Sequence, residues 1–133
     1  AITALIKKEA GATVVESVLP DAVMSAVNVM EAVRVLQRFN FTMEAVRVLQ
    51  RFNFTYAEAT ENLSFLIGEV IPFVREQAYK AGSFEPVARR CGLSLGDCIC
   101  LSLAKDMKAK VLTSDTAWLK AAPELRIDVQ LIR

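Results

Sequence analysis

Three carboxylates define the chemistry open to this sequence. Glu31, Asp97 and Asp115 lie far apart in the chain, yet each falls in the first turn of an expected helix or directly after an expected strand. Histidine is absent. That excludes Ser-His-Asp and Cys-His nucleophiles, histidine-based ribonuclease chemistry and most zinc hydrolase sites. Acid, base and metal chemistry must rest on carboxylates, Lys, Tyr or Cys. Gathered carboxylates repel one another and hold protons more tightly unless a cation sits among them. Hard oxygen ligands without His or Cys select Mg²⁺ or Mn²⁺. Such an ion activates water and neutralises charge building on a phosphodiester; two of them about 3.5–4 Å apart would clamp the attacking and leaving oxygens.

Each acid also has a simpler use. Ser94-Leu95-Gly96-Asp97 has the spacing of a capping box. The residues at +3, +4 and +7 from Asp97 are Cys100, Leu101 and Ala104, so its side chain heads an apolar stripe and is predicted to point inward. An unpaired charge is costly there. Asp115 could cap the short helix that follows it. Glu31 has Arg34 and Val35 at +3 and +4, a mixed face that water could cover. Ser25, Asn28, Thr113 and Ser114 are small polar residues beside the proposed site, able to orient acids or metal-bound water. Asp21, Asp106 and Asp128 read as turn or surface acids. Cys98-Ile99-Cys100 reads as core packing, and Trp118 as the anchor of the last helix rather than a base-stacking platform. Arg38 and Arg51, beside the Phe-Asn-Phe segments, read as ordinary surface chemistry.

The elements that must position these residues follow from periodicity. Residues 1–8 read as a helix end, broken at Gly11. A second helix is predicted over 13–19, with Val14, Val15 and Val18 at helical spacing and Pro20-Asp21 as its stop. Residues 22–27 form a short apolar run that reads as a buried strand. A helix follows over 28–38, with Val29, Val33 and Leu36 as its stripe. Thr55 and Glu58 carry a capping-box pattern for a helix over 55–66, ended at Gly68. Residues 69–73 read as a strand, and 74–90 as mainly helical with a break at Gly82 or Pro86. The helix over 94–108 is apolar nearly all round and should be buried. A strand over 110–113, a short helix over 115–121 and an alternating strand over 126–132 close the chain. Strands alternating with helices predict an α/β domain with a parallel sheet. In such a sheet the strand C-terminal ends and the following helix N-termini share one edge, where ligands bind. The three acids could converge there.

The 133 residues suffice for one domain and are too few for two. Apolar residues make up 53% and charged residues 23%, the balance of a globular chain. Sixteen Lys and Arg against fifteen Asp and Glu leave a net charge of +1, so any nucleic-acid binding must come from a local site. Three cysteines with no CxxC spacing argue against a disulfide framework or zinc knuckle and for a reducing cytosol. No apolar run reaches the roughly 18 residues that span a membrane, and residues 1–9 do not have the order of a signal peptide.

Residues 30–42 and 43–55 carry the same thirteen letters, MEAVRVLQRFNFT. Identity at every position is unlike an old structural repeat, whose copies drift. A recent tandem duplication, an engineered insertion and a recording artefact all fit it. Thirteen helical residues advance about 1300°, leaving roughly 220° after whole turns. A continuous helix through both copies would put Glu31 and Glu44 on different faces, so they could not both serve one site.

The stretches SAVNVMEAV (25–33), GLSLGDCICLSLA (92–104) and AKVLTSDTAWLKA (109–121), in that order, resemble the PIN domain of VapC-type toxins from bacterial toxin–antitoxin pairs. The resemblance implies a three-layer α/β/α fold with a mainly parallel central sheet. It implies a metal-dependent endoribonuclease, with Glu31 in N-x-x-E, Asp97 in LSLGD and Asp115 in TSD as the acids that hold Mg²⁺ or Mn²⁺. Glu44 follows Asn40 by four residues rather than three and matches less well. The implied partners are an RNA substrate and a small antitoxin whose segment packs on the helical face and reaches the acids, in a homodimer or a toxin–antitoxin hetero-oligomer. Two departures stand out. The family opens with a central strand ending in Asp, followed by a helix rich in Ser and Ala. Residues 1–6 resemble that helix already under way, so the expectation is a PIN-like domain lacking its N-terminal strand, with the sequence starting inside the domain and the strand's Asp as a fourth acid ahead of it; a chain complete in this form would be inactive. A single copy of the repeat, running into Tyr56, also fits the family better than two. A degenerate toxin that acts only by binding its partner is the alternative. A doubly wound nucleotide-binding domain has no support, because no Gly-rich phosphate loop occurs.

Overall fold

The computed structural model of this protein describes residues 1–38 and 67–133, and elements are numbered over those residues. Helix α1 (Ile2–Ile6) and helix α2 (Ala12–Val18) come first, then a 3-10 turn over Leu19–Asp21. Strand β1 (Val23–Ser25) runs into helix α3 (Ala26–Arg38). Strand β2 (Glu69–Ile71) precedes α4 (Arg75–Ser83), α5 (Glu85–Cys91) and α6 (Leu95–Met107). Strand β3 (Val111–Thr113), helix α7 (Ala117–Leu125) and strand β4 (Val129–Leu131) follow.

Both strand pairs are parallel, and the arrangement is that of a three-layer α/β/α fold. Val23 pairs with Glu69 and Ser25 with Ile71; Val111 pairs with Val129 and Thr113 with Leu131. The expected single central sheet is not continuous among the described residues. It is two separate two-stranded sheets, β1–β2 and β3–β4.

Several boundaries differ from the sequence expectation for local reasons. The strand predicted over 22–27 is only Val23–Ser25, because the Val27 N–H donates to Ser25 Oγ at 3.4 Å and the chain turns helical at Ala26. The helical stretch after β2 is two helices. The break falls at Phe84, between the proposed Gly82 and Pro86, and Pro86 sits in the first turn of α5, where its missing N–H costs nothing. Helix α7 runs to Leu125 despite Pro123 inside it. Burial of Trp118, Ala121 and Leu125 outweighs the proline penalty near the helix end. The helix over 55–66, most of the repeat and Arg51 lie outside the described residues, as do the side chains of Leu36 and Arg38 at the end of α3.

The main core lies on the β3–β4 side. It joins Phe84, Val87, Ile99, Leu101, Val111, Trp118, Leu125 and Ile127. Helix α6 is its spine, as its nearly all-apolar sequence predicts: Cys98, Ile99, Leu101, Leu103 and Ala104 are buried. Trp118 is 7% exposed and belongs to this core, which makes it an anchor. Replacing Trp118 with Ala should lower stability by about 3–5 kcal/mol, the usual cost of truncating a buried large aromatic, as read from the midpoint of denaturant unfolding. The β1–β2 side has a smaller core, with Ala32 and Ile67 buried against Ile2, Met24, Val29 and Val33. A third cluster of Ala4, Leu5, Val15, Leu19 and Ile132 ties the first helices to the end of the chain. Gly11 makes that tie possible. Its φ of 91° suits glycine, and a Cβ there would lie 2.3 Å from the Ile132 carbonyl oxygen.

Candidate active site

Glu31, Asp97 and Asp115 all line one cavity of about 760 Å³. Residues of both β1 and β3 also line it. All three acids singled out from the sequence thus line the same cavity.

Glu31 projects from the second turn of α3. Its carboxylate lies directly over Gly96, in the first turn of α6: a Cβ on Gly96 would meet Oε1 at 2.2 Å and Oε2 at 2.4 Å. Asn28 fixes this arrangement. Its Nδ2 donates to Glu31 Oε2 at 3.1 Å and to the Gly96 carbonyl at 3.0 Å, tying α3 to α6. Asn28 Oδ1 is buried and has no hydrogen-bond partner among the described residues.

Asp97 does form the capping box that its sequence allowed. Ser94 N and Ser94 Oγ donate to Asp97 Oδ2 at 2.7 and 2.8 Å, and the Asp97 N–H donates to Ser94 Oγ at 3.2 Å. One carboxylate oxygen is spent on the helix start; Oδ1 has no hydrogen bond among the described residues. Asp97 is half-buried rather than fully turned inward. Asp115 is not the N-cap that the sequence suggested: Thr116 holds that position, and Asp115, one residue earlier, accepts from the Ala117 N–H through Oδ1 at 2.8 Å in the turn before α7. Thr113 Oγ1 accepts from the Asp115 N–H at 3.1 Å and holds the turn, and its side chain is buried. For Asp97 and Asp115, these local hydrogen bonds and a role at the cavity are compatible, because each uses one carboxylate oxygen of two.

The smaller polar residues divide. Asn28 and Thr113 touch the acids or their turns. Ser25 lines the cavity but serves the start of α3, and no hydrogen bond joins Ser114 to any of the acids. Two cations were not singled out from the sequence: Arg34, one turn after Glu31, and Lys110, at the start of the β3 wall, both line the cavity. Gly96 was also missed. Its signal was present in LSLGD, since a glycine in the first turn of an otherwise apolar helix is unfavourable unless something needs the space.

Cys100 also lines the cavity, and burial pushes its thiol up to about 11 from an ordinary 9.0. The carboxylates of Asp97 and Glu31 add to the rise. A thiol whose folded pKa is raised favours the folded state fully below the unfolded value and loses that contribution as pH climbs toward the folded one. Stability should therefore be flat with respect to this group below about pH 9 and fall between 9 and 11. The Cys100→Val variant should show a shallower fall in the same window when thermal midpoints are compared across pH.

The fold agrees with a family model. The PIN domain model matches residues 1–124 of the chain. The chain belongs to the PIN domain family. No curated protein and no solved structure matches it. The PIN domain is generally a metal-dependent nuclease fold. The donors present fit a hard divalent ion in type: they are carboxylate and amide oxygens, and the buried Asn28 Oδ1 is an acceptor without a donor among the described residues. Among the described residues, however, no three acids or cysteines stand close enough to hold one ion. The PIN residues that could hold Mg²⁺ include Glu31, over Gly96, and Asp97, next to Gly96 in the chain, since Mg²⁺ is often bound through one or two carboxylates and keeps several waters. No helix among the described residues of this PIN domain is long and apolar enough to cross a membrane.

Proposed function

We propose that this PIN domain is an endoribonuclease toxin of the VapC type, hydrolysing RNA phosphodiesters with Mg²⁺ or Mn²⁺. The observation that carries the reading is the convergence of Glu31, Asp97 and Asp115 on one cavity that β1 and β3 also line. The ion, when bound, supplies an activated water and charge neutralisation at the phosphate. The chain's own residues supply the placement. Asn28 holds the Glu31 carboxylate over Gly96, and Ser94 holds Asp97 with Oδ1 outside the cap. Asp115 keeps Oδ2 outside its own turn hydrogen bond and can take a proton from water at the cavity. Arg34 offers positive charge to the RNA backbone at the same opening, and Lys110, paired with Asp128 at 3.8 Å, stands beside it.

Two exposed apolar side chains flank the acids: Leu95, 73% exposed, beside Gly96, and Met30, 52% exposed, beside Glu31. They support an antitoxin segment that covers the helical face and blocks the acids, within a hetero-oligomer or around a homodimer. The cysteines Cys91, Cys98 and Cys100 are free thiols, in keeping with a reducing cytosol. A degenerate, partner-binding relative is favoured by one observation, that the described acids form no group of three around a common point. A cleavage assay separates the two. RNA should be cut with Mg²⁺ or Mn²⁺ and spared with EDTA. Cleavage that survives EDTA rejects the mechanism, and no cleavage alongside tight antitoxin binding establishes the degenerate form.

A further inference from the structure

Asn28 meets two helices with one nitrogen. Its Nδ2 donates to Glu31 Oε2 and to the Gly96 carbonyl, so both amide hydrogens are used. For Glu31 this is the bond that holds the carboxylate. Among the described residues Glu31 makes no other side-chain hydrogen bond and no ion pair, although Arg34 lies one turn on. The rest of the Glu31 side chain is exposed, and a free glutamate samples many rotamers. The other end of the amide, Asn28 Oδ1, is buried and accepts no hydrogen bond among the described residues. An acceptor left so costs stability, and a leucine of the same branching would pack α3 on α6 without such an atom. Joining the two helices therefore does not call for an asparagine. Holding a carboxylate does. It takes two hydrogens on one atom, one for an anchoring carbonyl and one for the acid. Serine has one, an ionised aspartate has none, and glutamine is one methylene too long.

We infer that Asn28 is the positioning residue for the Glu31 carboxylate, with the Gly96 carbonyl as its anchor, so that the acid is ordered before a divalent ion arrives. This role rests on the metal-nuclease reading of the cavity. Gly96 serves it twice: its carbonyl orients the amide, and its missing Cβ leaves the space that the carboxylate fills. A ligand ordered in advance loses less conformational freedom when the ion binds, so affinity rises without a new contact to the ion. Groups one step removed from a metal are worth about 10–100-fold in affinity.

The test is calorimetric titration of the full chain with Mg²⁺ or Mn²⁺ alone, without RNA. Asn28→Leu should bind either ion about 10–100-fold more weakly than the parent. Asn28→Ala, which adds no bulk, should repeat the loss and serves in its place where the leucine does not fold. Glu31→Ala should weaken binding too. Adding Asn28→Leu or Asn28→Ala to Glu31→Ala should then change affinity by no more than about twofold, because the amide has nothing left to position. A purely structural asparagine would cost the same in both backgrounds. With no ion present, an Asn28 side-chain amide proton should exchange faster with water in Glu31→Ala than in the parent, as followed by NMR. Equal affinity of the parent and the Asn28 variants, or an equal loss with and without Glu31, would overturn the role of Asn28 and leave the metal site standing. A parent that binds neither ion would overturn both.

Discussion

Replacing Asp97 with Asn is expected to remove metal-dependent RNA cleavage by more than about a hundredfold, because residues one step removed from a metal already cost 10–100-fold when changed. The fold should survive. The asparagine side chain keeps an oxygen that can accept from Ser94, so the start of α6 remains capped, and any loss of stability should stay near the roughly 1 kcal/mol scale of a cap. The contrasting variant is Ser94→Ala. It breaks the cap by removing the hydroxyl that donates to Asp97 Oδ2 and accepts from the Asp97 N–H. It leaves the carboxylate in place, so it should lose about 1 kcal/mol of stability and much less activity. Unfolding curves and initial cleavage rates on both proteins check the pair. Full activity in Asp97→Asn would mean that Asp97 only caps a helix.

The second large effect is at Gly96, and there stability and activity should move in opposite directions. Alanine is favoured over glycine by about 0.8–1 kcal/mol in a helix interior, so Gly96→Ala should not weaken α6 on its own account. The new Cβ would fall 2.2–2.5 Å from the Glu31 carboxylate, closer than any real contact, and Glu31 must swing away. Its hydrogen bond from Asn28 then breaks or lengthens. Mg²⁺ affinity and cleavage should fall about tenfold or more, while the thermal midpoint stays level or rises. Shortening the side chain in the double variant Gly96→Ala with Glu31→Asp should recover part of the metal affinity measured by calorimetry. If Gly96→Ala binds Mg²⁺ as the parent does, the Glu31 carboxylate is not where the ion is held.

Much of this site was legible from residue types. The lack of histidine narrowed the chemistry to carboxylates, and S-x-x-D announced the capping box that Ser94 and Asp97 form. The apolar run after Asp97 announced a buried α6, and the position of Trp118 announced an anchor. Boundaries were harder where a side chain or core contact overrode local preference. Ser25 starts α3 two residues early through its own hydroxyl, and the core keeps α7 helical through Pro123. The clearest miss was Gly96. Nothing within four residues of it explains a glycine; the reason is a carboxylate from a helix whose Asn28 is 68 positions away.

The sequence by itself determined the donor set, the α/β alternation and the family, because these depend on composition, on short-range periodicity and on motifs of a few residues. Only the tertiary structure decided that Glu31 rests over Gly96 while Asn28 ties the two helices, and that the parallel strands form two pairs, with β1 and β3 lining one cavity. The physical reason is range. Caps and turns are fixed by neighbours in the chain, whereas the meeting of α3 with α6 and the pairing of the strands depend on how apolar faces distant in sequence pack together.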